Sequence, residues 1–266
     1  MVDNASTDGT AALLAAHPSR PAVLRMPRNL GYAGAMQAAL SRVDTPFMAW
    51  LNDDAAPEPG WLGTLEDAIG DAAAAGARLY YPDGMPQSLG VRLTADGYGA
   101  DASTAPAFGF CGGAALLRTD VLRAVGGVPA HFFCYYEDTD TAWRFRLAGY
   151  DVVSVPEARV THRHGASTRP GSPLFHLWNE RNRLLTLLRC APLKVAATEL
   201  ARFAAITALL PMRRCVPETA NFRVRLRLRV LGEVAVRLPA TLRDRRDITR
   251  RSTVARAQIW KNWTSR

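Results

Sequence analysis

The sequence predicts an α/β fold, a mostly parallel sheet with flanking helices, followed by a helical extension. Three observations lead there. Short apolar runs alternate with helical stretches over the first 150 or so residues, the pattern of right-handed strand–helix–strand crossovers. Pro46-Phe47-Met48-Ala49-Trp50-Leu51 is continuously apolar between turn signals, as expected of a strand buried on both faces. From Leu174 onward nearly everything reads as helix, with breaks near Pro192, Pro211, Pro217 and Pro239.

Taken in order, Val2 ends a strand that turns through Asp3-Asn4-Ala5-Ser6-Thr7-Asp8-Gly9, whose polar residues cap the helix continued by 11–16. A short strand follows at 22–25. Asn29-Leu30-Gly31-Tyr32-Ala33-Gly34 is a loop with glycines where backbone must come close to something, and helix resumes over 35–42. After the strand at 46–51, Pro57 and Pro59 lead into a helix over 61–75. The stretch from Leu79 to Phe110 is too rich in Gly, Pro and polar residues to divide into elements. Regular pattern returns as a strand at 112–118, a helix at 120–125, and a helix that opens on Glu137-Asp138-Thr139-Asp140 and ends at Gly149. Two short strands, 151–155 and 158–161, are expected on either side of Pro156. The natural division is a domain over 1–170 and a basic helical extension over 171–266.

Charge follows that division. Residues 1–188 carry 15 Arg against 19 acidic residues, a net of −4, while residues 189–266 carry 18 basic against 5 acidic, a net of +13; together these give the +9 of the chain. Such a tail suits an anionic membrane surface or a solvated helical face. It lacks the interleaved aromatics that stack nucleic-acid bases, so no nucleic-acid partner is expected. The four cysteines have neither metal-ligand nor disulfide-framework spacing, which points to a reducing, cytoplasmic setting. No signal peptide is visible, and the uncharged run from Phe203 to Met212 is about half a membrane span, so no integral membrane segment is expected.

Two separated carboxylate clusters carry the chemistry. Leu51-Asn52-Asp53-Asp54 ends an apolar strand, where open α/β sheets place ligands. One or two carboxylates suffice to hold a hard divalent cation that keeps waters and substrate phosphates; the plainer reading is a polar strand end capping the next helix. The second cluster follows Phe132-Phe133-Cys134-Tyr135-Tyr136. Asp138, at a helix start beside Glu137 and Asp140, is the candidate general base. Of His162 and His164, two apart on an extended segment and so pointing opposite ways, His162 is favoured for the metal side. Trp143, Arg144 and Arg146 share the Asp138 helix, where a role in the site and the plainer reading, core packing for Trp143 and a solvated face for the arginines, are about equally good.

These motifs, with Gly112-Gly113-Ala114-Ala115-Leu116, Val155-Pro156-Glu157-Ala158, Gly165-Ala166-Ser167 and Asn179-Glu180-Arg181-Asn182-Arg183, follow one another in an order that resembles family-2 inverting glycosyltransferases of the GT-A (Rossmann-like) fold. The rhamnosyltransferase-like members that build bacterial surface polysaccharide are the nearest in pattern. The resemblance covers residues 2 to about 185. It implies a nucleotide-sugar donor, a glycan or lipid-linked acceptor, and Mg²⁺ or Mn²⁺ as cofactor. Asp3, Asn4, Asn29, Gly31, Asn52 and Asp53 would bind the donor, and Asp54 and His162 the metal. Gly113, Ala114, Glu137 and Trp143 would face the acceptor, and Asp138 would deprotonate it. The family's first strand is not present ahead of Val2, so the rival reading is a non-catalytic, glycosyltransferase-like protein that binds a sugar or a protein partner.

Overall fold

In the computed structural model the described residues are 1–163, 169–213 and 215–264. The chain runs β1 (Val2–Asp3), α1 (Thr10–Ala16), β2 (Leu24–Arg25), α2 (Gly31–Leu40), β3 (Phe47–Leu51), β4 (Ala55–Pro57), α3 (Trp61–Ile69) and β5 (Ala74–Tyr80). Then come β6 (Pro86–Ser88), β7 (Val91–Leu93), β8 (Gly99–Asp101), β9 (Ala114–Arg118), α4 (Thr119–Ala124), α5 (Glu137–Leu147) and β10 (Val152–His162). Four long or medium helices complete it: α6 (Pro173–Cys190), α7 (Leu193–Leu209), α8 (Val224–Arg251) and α9 (Arg256–Thr264).

The main sheet has the order β3-β9-β5-β10-β4, with β6 beside β5. Only β5–β10 is parallel in it; β3–β9, β5–β9, β5–β6 and β4–β10 are antiparallel. The α/β class therefore holds while the mostly parallel sheet does not. The region expected to defy assignment supplies the antiparallel pieces β6, β7 and β8, and β9 returns through the middle of the sheet. β1 and β2 form their own parallel pair.

Three boundaries differ from expectation for physical reasons. The helix predicted over 61–75 stops at Ile69, because Gly70 takes φ +47°. The alanines beyond it, helix formers by propensity, instead fill a central strand in which Ala74, Ala75, Ala77 and Leu79 are wholly buried. Gly76 is needed there, since a Cβ would lie 3.1 Å from that of Phe110. The two strands around Pro156 are one strand, β10, whose register slips between Val155 and Arg159 so that a bulge takes up the proline. β3 is not buried on both faces: Met48 and Trp50 point in, while Ala49 and Leu51 are exposed.

The core crosses residue 170. One apolar cluster joins Trp50, Phe110, Phe132 and Trp143 to Leu177, Leu184, Phe203, Val234 and Ile259. A second lies on the α3 side, where Trp61, Leu65 and Ile69 pack at helical spacing over Leu79, Leu116 and Val160. Helix α5 is buried almost all round. Asp140, fully buried, accepts from Arg144 Nε and Arg189 Nε at 2.7 Å each, which ties α5 to α6 by paired and hydrogen-bonded charge. Part of the C-terminal helices' basicity is internal: Arg181, Arg183, Arg189 and Arg227 are all buried. Leu193–Met212, 20 residues with mean hydropathy 1.4, is long and apolar enough to cross a membrane by length and composition, contrary to the half-span expected, and only 28% of it is buried.

Candidate functional site

The site forms where the loops after β1 and β3 and those leading into α2 and β9 meet the start of α5. Asp3 is buried; its Oδ1 accepts from Ser6 N at 2.8 Å and its carboxylate pairs with Arg25. The Ser6 backbone N–H and hydroxyl hold that carboxyl below the usual value. Asn4 brackets the glycine loop: its Oδ1 accepts from Leu30 N at 2.9 Å, and its Nδ2 donates to Gly31 O and Asn29 Oδ1 at 3.0 Å. Asn29 Oδ1 also accepts from Gly31 N at 2.8 Å. Gly31 has φ +71°, and a Cβ there would lie 2.7 Å from the carbonyl carbon of Phe133, so the position must be glycine. Ala33 N donates to Phe133 O at 3.1 Å. Gly31 and Ala33 therefore rest directly on the loop that carries Asp138, and Asn4 and Asn29 hold Gly31 there.

That loop is strained. Phe133, Tyr135 and Tyr136 all have positive φ without being glycine, and Cys134 N closes a three-residue turn onto Phe132 O at 2.8 Å. Such residues cost roughly 1–3 kcal/mol each and persist where surroundings over-determine them. The result is to start α5 with its carboxylates turned toward β9. Asp138 Oδ2 accepts from Gly112 N at 3.0 Å, and Oδ1 from Thr139 N and Oγ1. Burial raises the Asp138 carboxyl above its ordinary value despite those donors. Glu137 is 6% exposed, its Oε2 has no hydrogen-bond partner, and burial followed by the Asp138 charge pushes it to about 8. Both carboxyls of the pair are thus raised, chiefly by burial, and the Asp138 charge raises Glu137 further.

On the other side of the glycines lies the β3 end. Asn52 N donates to Gly113 O at 3.0 Å, and a Cβ on Gly113 would come 3.6 Å from His162 Cε1 and 3.7 Å from Asn52 Nδ2. A Cβ on Gly112 would stand 3.4 Å from Asp138 Oδ2. His162 Nε2 is 3.1 Å from Asp54 Oδ1 and 3.3 Å from Asn52 Nδ2, while Nδ1 faces Gln87 Oε1 at 3.0 Å. With Nδ1 donating to Gln87, a neutral imidazole turns a lone pair toward the Asp54 carboxylate. A cation between them, or a second proton on the ring, resolves that opposition. The buried Asn52 Oδ1 has no hydrogen-bond partner. Carboxylate, imidazole and amide oxygen suit a hard divalent cation that takes its remaining ligands from water and phosphate. Among the described residues no cluster of three or more His, Cys, Asp or Glu stands ready for a metal. Asp53 is exposed at the turn beside the pair.

Two of the residues expected on the acceptor side are not there. Trp143 is wholly buried, edge-on to Phe108 at 5.5 Å and stacked on Trp260 at 6.0 Å. Ala114 is wholly buried inside β9. Both are core residues, because α5 and β9 run inward from the site. Gly113 and Glu137 do border it. His164 and Gly165-Ala166-Ser167 lie outside the described residues.

Several participants were not read from the sequence. Gly112, rather than Gly113, holds Asp138. Tyr32 OH donates to Gly112 O at 2.6 Å, and Gln87 orients His162 from the stretch that resisted assignment. Asn182 reaches the strained loop from α6. The available signal for it was the motif Asn179-Glu180-Arg181-Asn182-Arg183.

Residues 1–126 match the model of Glycosyl transferase family 2. The uncharacterized protein y4gI of Sinorhizobium fredii is 28% identical over 171 residues, 56% of this chain. The chain spans only 18% of that relative's length. Three solved structures share the fold at low identity. GalNAc-T7, solved with UDP, GalNAc and Mn²⁺, matches with a TM-score of 0.59 and 12% identity over 90% of this chain and 50% of its own. The mannosyltransferase PcManGT of Pyrobaculum calidifontis, in complex with GDP-Man and Mn²⁺, gives 0.52 and 16% over 94% and 75%. TarS 1–349 of S. aureus, in complex with UDP-GlcNAc, gives 0.50 and 15% over 98% and 80%. Residues 1–126 are thus similar to glycosyl transferase family 2, and the chain has a GT-A-like α/β fold, a mixed sheet flanked by helices with a helical C-terminal region.

Proposed function

We propose that the protein transfers a sugar, with rhamnose the first to test, from a nucleotide-diphosphate donor to a hydroxyl of a glycan or lipid-linked acceptor, with inversion. The observation that carries this is the Gly112-Gly113 bridge. It sets a raised carboxylate, Asp138, on one side and the Asn52, Asp54 and His162 group on the other. Asp138 takes the acceptor proton as the hydroxyl oxygen bonds to the sugar's anomeric carbon. The bond to the diphosphate breaks on the opposite face, which inverts the centre. Glu137, protonated at neutral pH, offers its hydrogen to a ligand oxygen. Asp54 and His162 would hold a divalent cation, and that cation, when bound, neutralises charge developing on the leaving diphosphate. Asp3, Asn4, Asn29, Gly31, Asn52 and Asp53 would seat the donor. A screen of nucleotide sugars, rhamnosyl donors included, with Asp138→Asn as the control tests this: full turnover in the variant removes the assignment.

The rival reading, a protein that binds sugar or partner without chemistry, has one observation in its favour. Helix α1, Thr-Ala-Ala-Leu-Leu-Ala-Ala, buries none of its side chains, and the β1–β2 pair beside it makes no ladder to the main sheet. The nucleotide side is thus the less consolidated half. Calorimetric titration with nucleoside diphosphates separates the readings, because a non-catalytic module binding only a sugar or a protein takes up none.

The proposed setting is the cytoplasmic face of an anionic membrane, where lipid-linked acceptors reside. Supporting it, Leu193, Leu209 and Met212 on and after α7 are exposed beside Lys194, Arg202 and Arg213. On α8, Leu228, Val236 and Leu242 are exposed among Arg225, Arg229, Arg243 and Arg246. Exposed apolar groups with flanking arginines suit the interfacial layer of such a membrane. Sedimentation with vesicles of anionic against neutral lipid checks it.

A further inference from the structure

The loop Phe132–Tyr136 presents Asp138 in a conformation that needs support, and its carbonyls show where the support comes from. Phe133 O is held by Ala33 N at 3.1 Å. The carbonyls of Phe132, Cys134 and Tyr135 converge on one atom, Asn182 Nδ2, at 3.0, 2.8 and 2.8 Å. Asn182 is wholly buried, and its Oδ1 accepts from Arg181 Nε at 2.9 Å. That bond fixes the amide's orientation, with oxygen toward the guanidinium and both hydrogens toward the carbonyls. Arg181 itself donates to Phe132 O and, from Nη1, to Glu233 Oε2 at 2.8 Å, which anchors the arrangement in α8.

We propose that Asn182 is a positioning residue for Asp138: its side-chain amide, oriented by Arg181, gathers three carbonyls of the strained loop and so holds the base where Gly112 meets it. The proposal rests on reading Asp138 as the base. The chemistry is specific to an amide. Two hydrogens on one planar nitrogen are shared among three acceptors, whereas a carboxylate there would set oxygen against oxygen at hydrogen-bond distance. Aspartate and leucine are near asparagine in size, so both remove the hydrogen bonds with little change in volume.

Two measurements on the full chain test this without relying on turnover. Cys134 lies inside the loop, half-buried, so its alkylation by iodoacetamide, located by peptide mass spectrometry, reports loop opening. Asn182→Asp and Asn182→Leu are each expected to speed Cys134 alkylation by roughly ten- to a hundredfold, as losing three shared hydrogen bonds permits. The buried Cys190, on α6 itself, keeps its wild-type rate and controls for global unfolding. The second measurement is the carboxyl ¹³C titration of Asp138, assigned by its loss in Asp138→Asn. The titratable groups facing Asp138 are Glu137 on α5, Asp101 on β8, Tyr32 on α2, and the thiols Cys111 and Cys134. Asn182→Leu alters none of them and adds no charge, so in that variant a downward move of the Asp138 titration reports water entering the loosened loop. Arg181→Met, which leaves the amide but removes the group that orients it, is the milder variant and should move both readouts less, in the same direction. Unchanged Cys134 labelling overturns the proposal, as does faster labelling with an unmoved Asp138 titration. So do equal rises at Cys134 and Cys190 in all three variants. If both readouts move as expected while the wild-type chain turns over no donor, the loop role stands and the transferase reading fails.

Discussion

Gly112 donates its backbone N–H to Asp138 Oδ2 at 3.0 Å, so the start of a central strand and the first turn of a helix share one hydrogen bond. The same two glycines lead from Asp138 to Asn52 and His162 within a few ångströms. That short bridge brings the proposed base and the proposed metal-binding pair into one site rather than two unrelated acidic patches. Replacing Asp138 with Asn keeps the shape and removes the proton acceptor. Turnover is expected to fall by about 10²–10⁴, the usual share of general-base catalysis, with nucleotide affinity unchanged; product assay and calorimetry read the two separately.

Glu137 should make stability depend on pH. Its folded value, about 8, is raised above the ordinary 4.5 of a free glutamate. Between those values the native state holds a proton the unfolded chain has lost, so the contribution is full below about 4.5 and lost as pH rises through about 8. Denaturant midpoints should therefore decline across that window, by up to about 1.4 kcal/mol per pH unit from this group. Glu137→Gln removes its own share of the decline and leaves that of Asp138, whose carboxyl burial also raises. A wild-type midpoint that stays flat over this window disproves the assignment.

The glycines divide into those the site needs and those it does not. Gly31→Ala puts a methyl into the Phe133 backbone at a left-handed φ, and is expected to cost at least about 2–3 kcal/mol and to displace Asp138. Gly63→Ala, inside α3 with open space around its Cβ, should instead stabilise by roughly 0.5–1 kcal/mol. Thermal unfolding of the two variants checks the contrast.

Much of this was legible in the sequence, and the limits have identifiable causes. Caps, strand ends and charged motifs are local, so Asp3, Asn52, Asp54, Asp138 and His162 could be nominated from the sequence, and contacts through the two glycines bring Asp138, Asn52, Asp54 and His162 together, while Asp3 pairs with Ser6 and Arg25. Sheet direction is not local. The run 74–80 and the return of β9 are decided by which surfaces alanines and Gly76 can fit between. Trp143 and Ala114 were misplaced for the same reason: sequence spacing locates a residue on an element but not which way the element runs from the site. Asn182 was visible only as part of a motif, because its role depends on three carbonyls about 50 residues away in sequence.

Asp140 separates structural charge from functional charge within one helix turn. Burial alone would raise its carboxyl, but Arg189 and Arg144 outweigh that and hold it below the ordinary value. Its stabilisation is present above the unfolded value and disappears as pH falls through the lower folded one. Asp140→Asn leaves two buried guanidinium groups without their shared partner, and should cost about 3–5 kcal/mol. The loss should appear in unfolding midpoints, in contrast to Asp138→Asn, whose effect lies in turnover.

The metal prediction follows from the facing of Asp54 and His162. With Gln87 taking the Nδ1 hydrogen, Nε2 and the carboxylate oxygen 3.1 Å away compete for the same positive charge. A divalent cation satisfies both, and so would a second proton on the ring. The two alternatives make opposite forecasts. If a cation is the intended partner, a chelator abolishes turnover, Mn²⁺ or Mg²⁺ restores it, and Mn²⁺ raises the unfolding temperature in proportion to its saturation of the site. Asp54→Asn and His162→Gln should each weaken that Mn²⁺ effect, while Asp53→Asn, at the exposed turn position, should weaken it less. If a proton is the partner, turnover is indifferent to chelator and Mn²⁺ leaves the unfolding temperature unchanged. Gln87→Ala discriminates further: freeing Nδ1 loosens the ring's orientation, and a metal site loses affinity by about 10–100-fold from such a change.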